Sequence, residues 1–184
     1  MRDQKQLMLL RHAKSAWDNP ELSDHDRPLA PRGMRGAKQM GRYIGHHQLW
    51  PQRVLCSSAT RALDTFELVE QHWGTPNQGR VEVTIDRSLY LCGVDGFMKR
   101  IQQITSACDR LMIVAHNPDL HDLALALTHA NQRDTPPMQK LRHKFPTAAL
   151  AIADLKISNW SNFDEDVTSE ISLFETPKTI MVSP

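Results

Sequence analysis

A chain of 184 residues is long enough for one domain, spanning 1–184, with a core that needs no staples. Its 22 basic residues against 21 acidic ones leave a net charge of +1, which excludes the broad cationic footprint of a protein that wraps nucleic acid or coats an anionic membrane. Any anion site must therefore be local. Cys56, Cys92 and Cys108 are odd in number and lack Cys-x-x-Cys spacing, which argues against a disulfide framework or a zinc site and leaves each as a small apolar residue. The first apolar run is too short for a signal segment or a membrane span, so a soluble, cytoplasmic protein is expected.

Leu7-Met8-Leu9-Leu10 stops abruptly at Arg11-His12-Ala13. This predicts a buried strand that delivers Arg11 and His12 to its carboxyl end, where open α/β sheets bind ligands. The stretch from Trp17 to Asp26, with Asn19-Pro20 and four acids, reads as a polar loop. A helix is predicted from about Arg32 to His46, with Met34, Ala37, Met40 and Ile44 as its apolar stripe and Pro31 in its first turn. Ala30, just before it, is a poor cap.

Arg53-Val54-Leu55-Cys56 is the next predicted strand and ends in a polar set, Ser57 to Ala62, before a helix carrying Ala62, Phe66, Val69 and Trp73 on one side. A loop over residues 74–79 leads to Val81–Ile85, which alternates as a short strand should. Ser88 to Gly96 reads as a loop, and a helix using Phe97, Ile101 and Ile104 follows. Leu111–Ala115 is continuous and apolar like a central parallel strand, ends at His116-Asn117-Pro118-Asp119, and precedes a helix with Leu120, Leu123, Ala124 and Leu127. Residues 130–146, with Pro136-Pro137, form a polar excursion. Ala148–Ala153 returns as a strand, and Ile171–Phe174 is expected at the sheet edge. Strands alternating with helices of this length give a mostly parallel sheet covered on both faces.

Three strand ends thus carry Arg11-His12, the Ser57–Arg61 segment and His116, and parallel strands place their carboxyl ends along one edge. Two guanidiniums with forked donors fit a tetrahedral oxyanion such as phosphate. A neutral imidazole in the same pocket is a competent nucleophile toward phosphorus.

Arg11-His12-Ala13, the Ser57-Ser58-x-x-Arg61-Ala62-x-x-Thr65 segment and Val114-Ala115-His116-Asn117-Pro118 resemble the three signatures of the histidine phosphatase superfamily. Arg27-Pro28-Leu29, followed by Gly33 and Ala37, resembles a fourth element. Small size, the His-Asn-Pro form and Thr176-Pro177-Lys178 point to its SixA-like branch, whose namesake is a phosphohistidine phosphatase. The resemblance implies a three-layer α/β/α, phosphoglycerate-mutase-like fold and phosphoryl transfer through a covalent phosphohistidine, with no metal or organic cofactor. His12 matches the nucleophile, and Arg11, Arg61 and His116 match the groups that hold the phosphoryl oxygens. Arg27 is a further candidate for that pocket.

The chain departs from the family pattern in three places. Ala13 stands where glycine is usual, and Ala30 replaces a hydroxyl cap. Arg87–Val94, where larger members carry a glutamate proton donor, contains no carboxylate. An alkoxide needs a general acid to leave, whereas imidazole needs less help, so the missing acid favours a phosphoramidate such as phosphohistidine. Asp18, Asp24, Asp26 and Asp95 are the candidate proton donors. The expected partner is a phosphorylated protein, such as a phosphocarrier or phosphorelay domain, met by a monomer. The alternatives are a small phosphate ester or phosphoanhydride as substrate, or a non-catalytic phosphate or phosphoprotein binder. His46, His47, His72, His129 and His143 read as surface residues, and His121 lacks partners at metal-ligand spacing. Trp50, Trp73 and Trp160 read as packing residues, whereas Trp17 is a candidate for the substrate mouth.

Overall fold

The computed structural model describes residues 4–77, 79–105, 107–128, 135–164 and 166–180. Those residues form strands β1 (Lys5–Arg11), β2 (Arg53–Ser57), β3 (Glu82–Asp86), β4 (Arg110–Ala115), β5 (Leu150–Leu155) and β6 (Ser169–Glu175). They lie in one sheet in the order β3-β2-β4-β1-β5-β6. Pairing is parallel for β1 with β4, β2 with β4 and β2 with β3, and antiparallel for β5 with both β1 and β6. Only β5 therefore opposes the common direction.

The two faces follow from the period of two along each strand. Leu7, Leu9, Leu111, Ile113 and Ala151 point to one side and Met8, Leu10, Met112, Val114 and Ile152 to the other, each set in its own buried cluster. The first face is closed by α3 (Gly93–Gln102), α4 (Asp119–Ala126) and α5 (Pro136–His143) through Phe97, Ile101, Leu120, Leu123, Met138 and Leu141. The second is closed by α1 (Pro31–His46) and α2 (Thr60–Glu70) through Ala37, Met40, Ile44, Ala62, Phe66 and Val69. This is the expected three-layer α/β/α arrangement. Each fully buried Leu or Ile stabilises it by roughly 1.5–3 kcal/mol. Among the described residues no helix is long and apolar enough to cross a membrane.

The start of α1 bears directly on the site. Ala30 makes no side-chain cap, as its methyl dictates, and Pro31 opens the helix. The chain here is pressed against the segment after β1: Ala30 N donates to Lys14 O at 2.8 Å, and Ser15 bridges Leu29. A Cβ at Gly33 would lie 2.1 Å from Lys14 O, so only glycine admits this approach.

Five details differ from the sequence reading. Met34, expected on the apolar stripe of α1, is exposed, whereas Ala37, Met40 and Ile44 are buried. The loop expected up to Gly96 is shorter, because a 3-10 turn forms at Arg87–Leu89 and α3 begins at Gly93, whose φ of +66° makes the entry turn. Part of the 130–146 excursion is a helix, with Pro136 and Pro137 in its first turn, where missing N–H groups cost nothing. His129 and the rest of residues 129–134 lie outside the described residues. Trp73 falls beyond the end of α2 at Glu70, yet its ring packs 5.8 Å from that of Phe66 and its carbonyl accepts a hydrogen bond from Trp50 Nε1. On β3 the alternation does not bury a face, since Val83 and Ile85 are exposed at the sheet edge.

Candidate active site

The order β2-β4-β1 sets three carboxyl strand ends side by side. Just past β1, His12 N donates to Ala115 O at 3.0 Å, so His12 and His116 emerge as neighbours with ring centroids 5.0 Å apart. On the other flank of β4, Ser57 ends β2, and its Oγ lies 2.8 Å from His116 Nε2. One turn later α2 carries Arg61, which is buried.

The nucleophilic atom of His12 follows from its own backbone. His12 Nδ1 lies 2.7 Å from Ala13 O, and a carbonyl oxygen only accepts, so Nδ1 bears the proton and Nε2 keeps its lone pair. Burial, reinforced by Arg61 and Arg11, lowers the His12 pKa to about 4. His116 is lowered to about 3 by burial and then by His12 and Arg61. Both rings are neutral at pH 7. The turn bearing Ala13 O is itself clamped: Ala13 N donates to Thr65 Oγ1 at 2.9 Å, and that hydroxyl donates to Arg61 O at 2.6 Å.

Arg11 reaches back to donate from Nη1 to Phe145 O at 2.8 Å, a carbonyl shared with Asn117 Nδ2 at 3.1 Å. Burial and the charge of Arg61 lower its pKa, although a guanidinium stays cationic. Among the described residues Arg11 Nε, Arg27 Nε and His116 Nδ1 are buried without a hydrogen-bond partner, and the two guanidinium N–H groups are suited to pair with an anion. Arg27 stacks on the exposed Trp17, its guanidinium carbon 4.2 Å from the ring centroid.

Of the four candidate acids, Asp24 meets the pocket. Its Oδ2 accepts from Arg61 Nη2 at 2.8 Å and its backbone oxygen accepts from Arg61 Nη1. Tyr90 Oη also donates to Oδ2, at 2.7 Å. That bond, with the nearby Arg61, holds the Asp24 carboxyl below its ordinary pKa, so at neutral pH it accepts protons in hydrogen bonds and does not supply one. Asp26 is turned to Ser23 and His25, Asp18 is exposed on the same loop, and Asp95 is exposed in the first turn of α3. His121 Nε2 is spent on Leu141 O at 2.7 Å. Among the described residues no group of three or more His, Cys, Asp or Glu side chains could hold a metal ion.

Sequence reasoning missed two contributors. Tyr90 lies after β3, in a segment whose lack of a carboxylate is its only sequence signal; its ring stands edge-on to His116 at 5.2 Å. Phe145 contributes a backbone carbonyl, for which side-chain identity gives no signal.

Residues 7–89 match the model of the histidine phosphatase superfamily, branch 1. An uncharacterized protein of Mycobacterium leprae is 31% identical over 172 residues, covering 92% of this chain and all (100%) of that one. Another, from Mycobacterium tuberculosis, is 30% identical over 170 residues with the same coverage. The fold is shared with a candidate SixA phosphohistidine phosphatase from Nakamurella multipartitia, with a TM-score of 0.79 and 23% identity over 95% of this chain and 96% of that one. It is also shared with the protein histidine phosphatase SixA complexed with tungstate, with a TM-score of 0.72 and 23% identity over 95% and 99%.

Proposed function

The chain belongs to the histidine phosphatase superfamily, and from that premise we propose that it is a cytoplasmic, metal-independent phosphatase whose substrate is a phosphohistidine on another protein, as in a SixA-like enzyme. The observation that supports this reading is the state of His12: its Nδ1–H is fixed on Ala13 O, which leaves the Nε2 lone pair free, with the His116 ring 5.0 Å away and the charges of Arg61 and Arg11 acting on it.

In the first step Nε2 attacks phosphorus. A P–Nε2 bond forms as the bond to the leaving nitrogen breaks, and that nitrogen keeps the electron pair and takes a proton from solvent, which is returned when the attacking water of the second step loses one. Arg11 and Arg61 carry the charge spread over the phosphoryl oxygens, a contribution of a few kcal/mol for each such contact. His116, held by Ser57, stands beside them. In the second step water attacks phosphorus, the P–Nε2 bond breaks, and orthophosphate leaves with His12 restored. The ionised Asp24 and the absence of a carboxylate between Arg87 and Val94 support a leaving group that needs little acid assistance, as imidazole does.

The test pairs a phosphohistidine-bearing carrier protein with a panel of phosphate esters, each given to wild type and His12→Ala. Rapid dephosphorylation of the carrier, slow ester turnover and an inactive variant are expected. Fast turnover of one ester with the carrier untouched would replace the protein substrate by a small one.

A further inference from the structure

We propose that Asp24 and Tyr90 form a positioning pair that sets the orientation of Arg61 for phosphoryl transfer; the proposal rests on the phosphatase reading above. Arg61 is anchored on α2, and its guanidinium crosses to the loop between β1 and α1. There Nη1 donates to the Asp24 backbone oxygen and Nη2 to its Oδ2 at 2.8 Å. The two contacts use Nη1 and Nη2, and neither uses Nε. The Nε–H edge can then meet two oxygens of a phosphoryl group, in the bidentate geometry that distinguishes arginine from lysine.

A carboxylate on a half-exposed loop cannot by itself aim a buried cation. The side chain of Asp24 is 51% exposed against 7% for Arg61, so something must fix the loop end of the pair. Tyr90 does so from 66 residues away, donating at 2.7 Å to the same oxygen that Arg61 uses. Its ring is wedged edge-on between His116 at 5.2 Å and His25 at 5.1 Å, and the Arg61 guanidinium lies 5.7 Å from its centroid. His25 in turn is tied to the β2 end, with Nε2 3.0 Å from Ser58 Oγ and its carbonyl accepting from Thr60 N at 3.0 Å. Loop, tyrosine and strand end thus close a ring around Arg61. Asp24 and Tyr90 act through Arg61 and do not need to touch the substrate.

A rival account makes Asp24 an internal competitor that occupies Arg61 until substrate displaces it. The two accounts differ in sign. Neutralising a positioning carboxylate disorders the cation in the transition state while removing a negative charge from the ground-state site, so turnover falls and anion binding holds or tightens. Neutralising a competitor raises both.

The experiment measures kcat on the phosphohistidine carrier and on p-nitrophenyl phosphate, and the dissociation constant of orthophosphate by calorimetry, for the full chain carrying Asp24→Asn, Tyr90→Phe, both together, and Asp24→Asn combined with Arg61→Ala. Each single change should lower kcat about tenfold, well within what misplacing a positioned group costs, with orthophosphate bound as tightly as in wild type or more so. Tyr90→Phe should add less than about twofold on the Asp24→Asn background, and Asp24→Asn less than about twofold on Arg61→Ala. A rise in kcat with tighter orthophosphate, a full Tyr90→Phe loss on the Asp24→Asn background, or an unchanged kcat in both single variants would each overturn the proposal. An independent reading comes from NMR of the Arg61 side chain, whose Nη signals should be resolved in wild type and averaged in both variants. If wild type turns over neither substrate, the phosphatase reading fails, and these signals alone decide whether the pair holds Arg61; their persistence in the variants would refute it.

Discussion

Thr65→Val isolates the turn that presents His12. Thr65 and Ala13 are both 0% exposed, and the Thr65 hydroxyl is the partner of Ala13 N at 2.9 Å. Valine matches threonine in shape and nearly in helix propensity, so the substitution removes the hydroxyl, both the acceptor for Ala13 N and the donor to Arg61 O, and little else. A buried N–H left without a partner costs roughly 1–3 kcal/mol. For a chain of this size each kcal/mol moves the melting temperature by about 2–4 °C, so a fall of about 6 °C is expected. Relaxation of the turn also frees Ala13 O, which fixes the His12 tautomer, and kcat should drop about tenfold. Thr65→Ser keeps the oxygen and loses only a methyl group, so it should retain kcat within about twofold while losing some stability. Thermal melts and steady-state kinetics on the three proteins check this. Equal kcat for the Val and Ser variants would refute the claim that this hydroxyl holds the nucleophile in place.

The two active-site histidines make stability depend on pH with a definite sign. His12 and His116 titrate at about 4 and about 3 in the fold, below the ordinary 6.5, so the unfolded chain binds protons that the native one refuses. Their contribution is complete above about pH 6.5 and is lost as pH falls toward about 4 for His12 and about 3 for His116, approaching roughly 1.4 kcal/mol per pH unit for each ring. Denaturant titrations at pH 7 and pH 4.5 should show this fall, and His12→Ala should flatten it; an identical slope in the variant would contradict the burial argument. Gly33→Ala drives a Cβ to 2.1 Å from Lys14 O and should destabilise the protein by about 3 kcal/mol, measured by the same titrations. Ser57→Ala removes the 2.8 Å partner of the buried His116 Nε2 and should lower kcat about tenfold and the melting temperature by about 6 °C, read by the same kinetics and thermal melts.

The sequence was most readable where function and fold are local. β1, β2 and β4 are short apolar runs that end in polar sets, and the ends of parallel strands share an edge, so the sequence alone puts the strand ends bearing Arg11, His12, Arg61 and His116 along one side of the sheet, as the order β2-β4-β1 has them. Less legible were places where tertiary context overrides local preference. Ser88 to Gly96 reads as a loop, yet Gly93 makes the turn into α3, and a Cβ at Gly96 would lie 2.5 Å from the Cβ of Cys92. Pro136-Pro137 suggested interruption and instead opens a helix. The pairing of Asp24 with Tyr90 joins loops 66 residues apart, and the anchoring of Arg11 on Phe145 uses a backbone oxygen 134 residues away. Neither leaves a periodic or motif-level trace, because both depend on how the loops fold over the sheet edge.

The central claim is that His12 Nε2 becomes covalently phosphorylated. The most direct measurement is to mix the protein with a phosphohistidine carrier, quench within milliseconds in alkali, where phosphohistidine survives, and locate the phosphoryl group by mass spectrometry. The account predicts a transient phosphorylated peptide containing His12, formed and lost at rates that match turnover and absent in His12→Ala. Turnover of the carrier with no phosphoryl group ever on His12, or with full activity in His12→Ala, would contradict it.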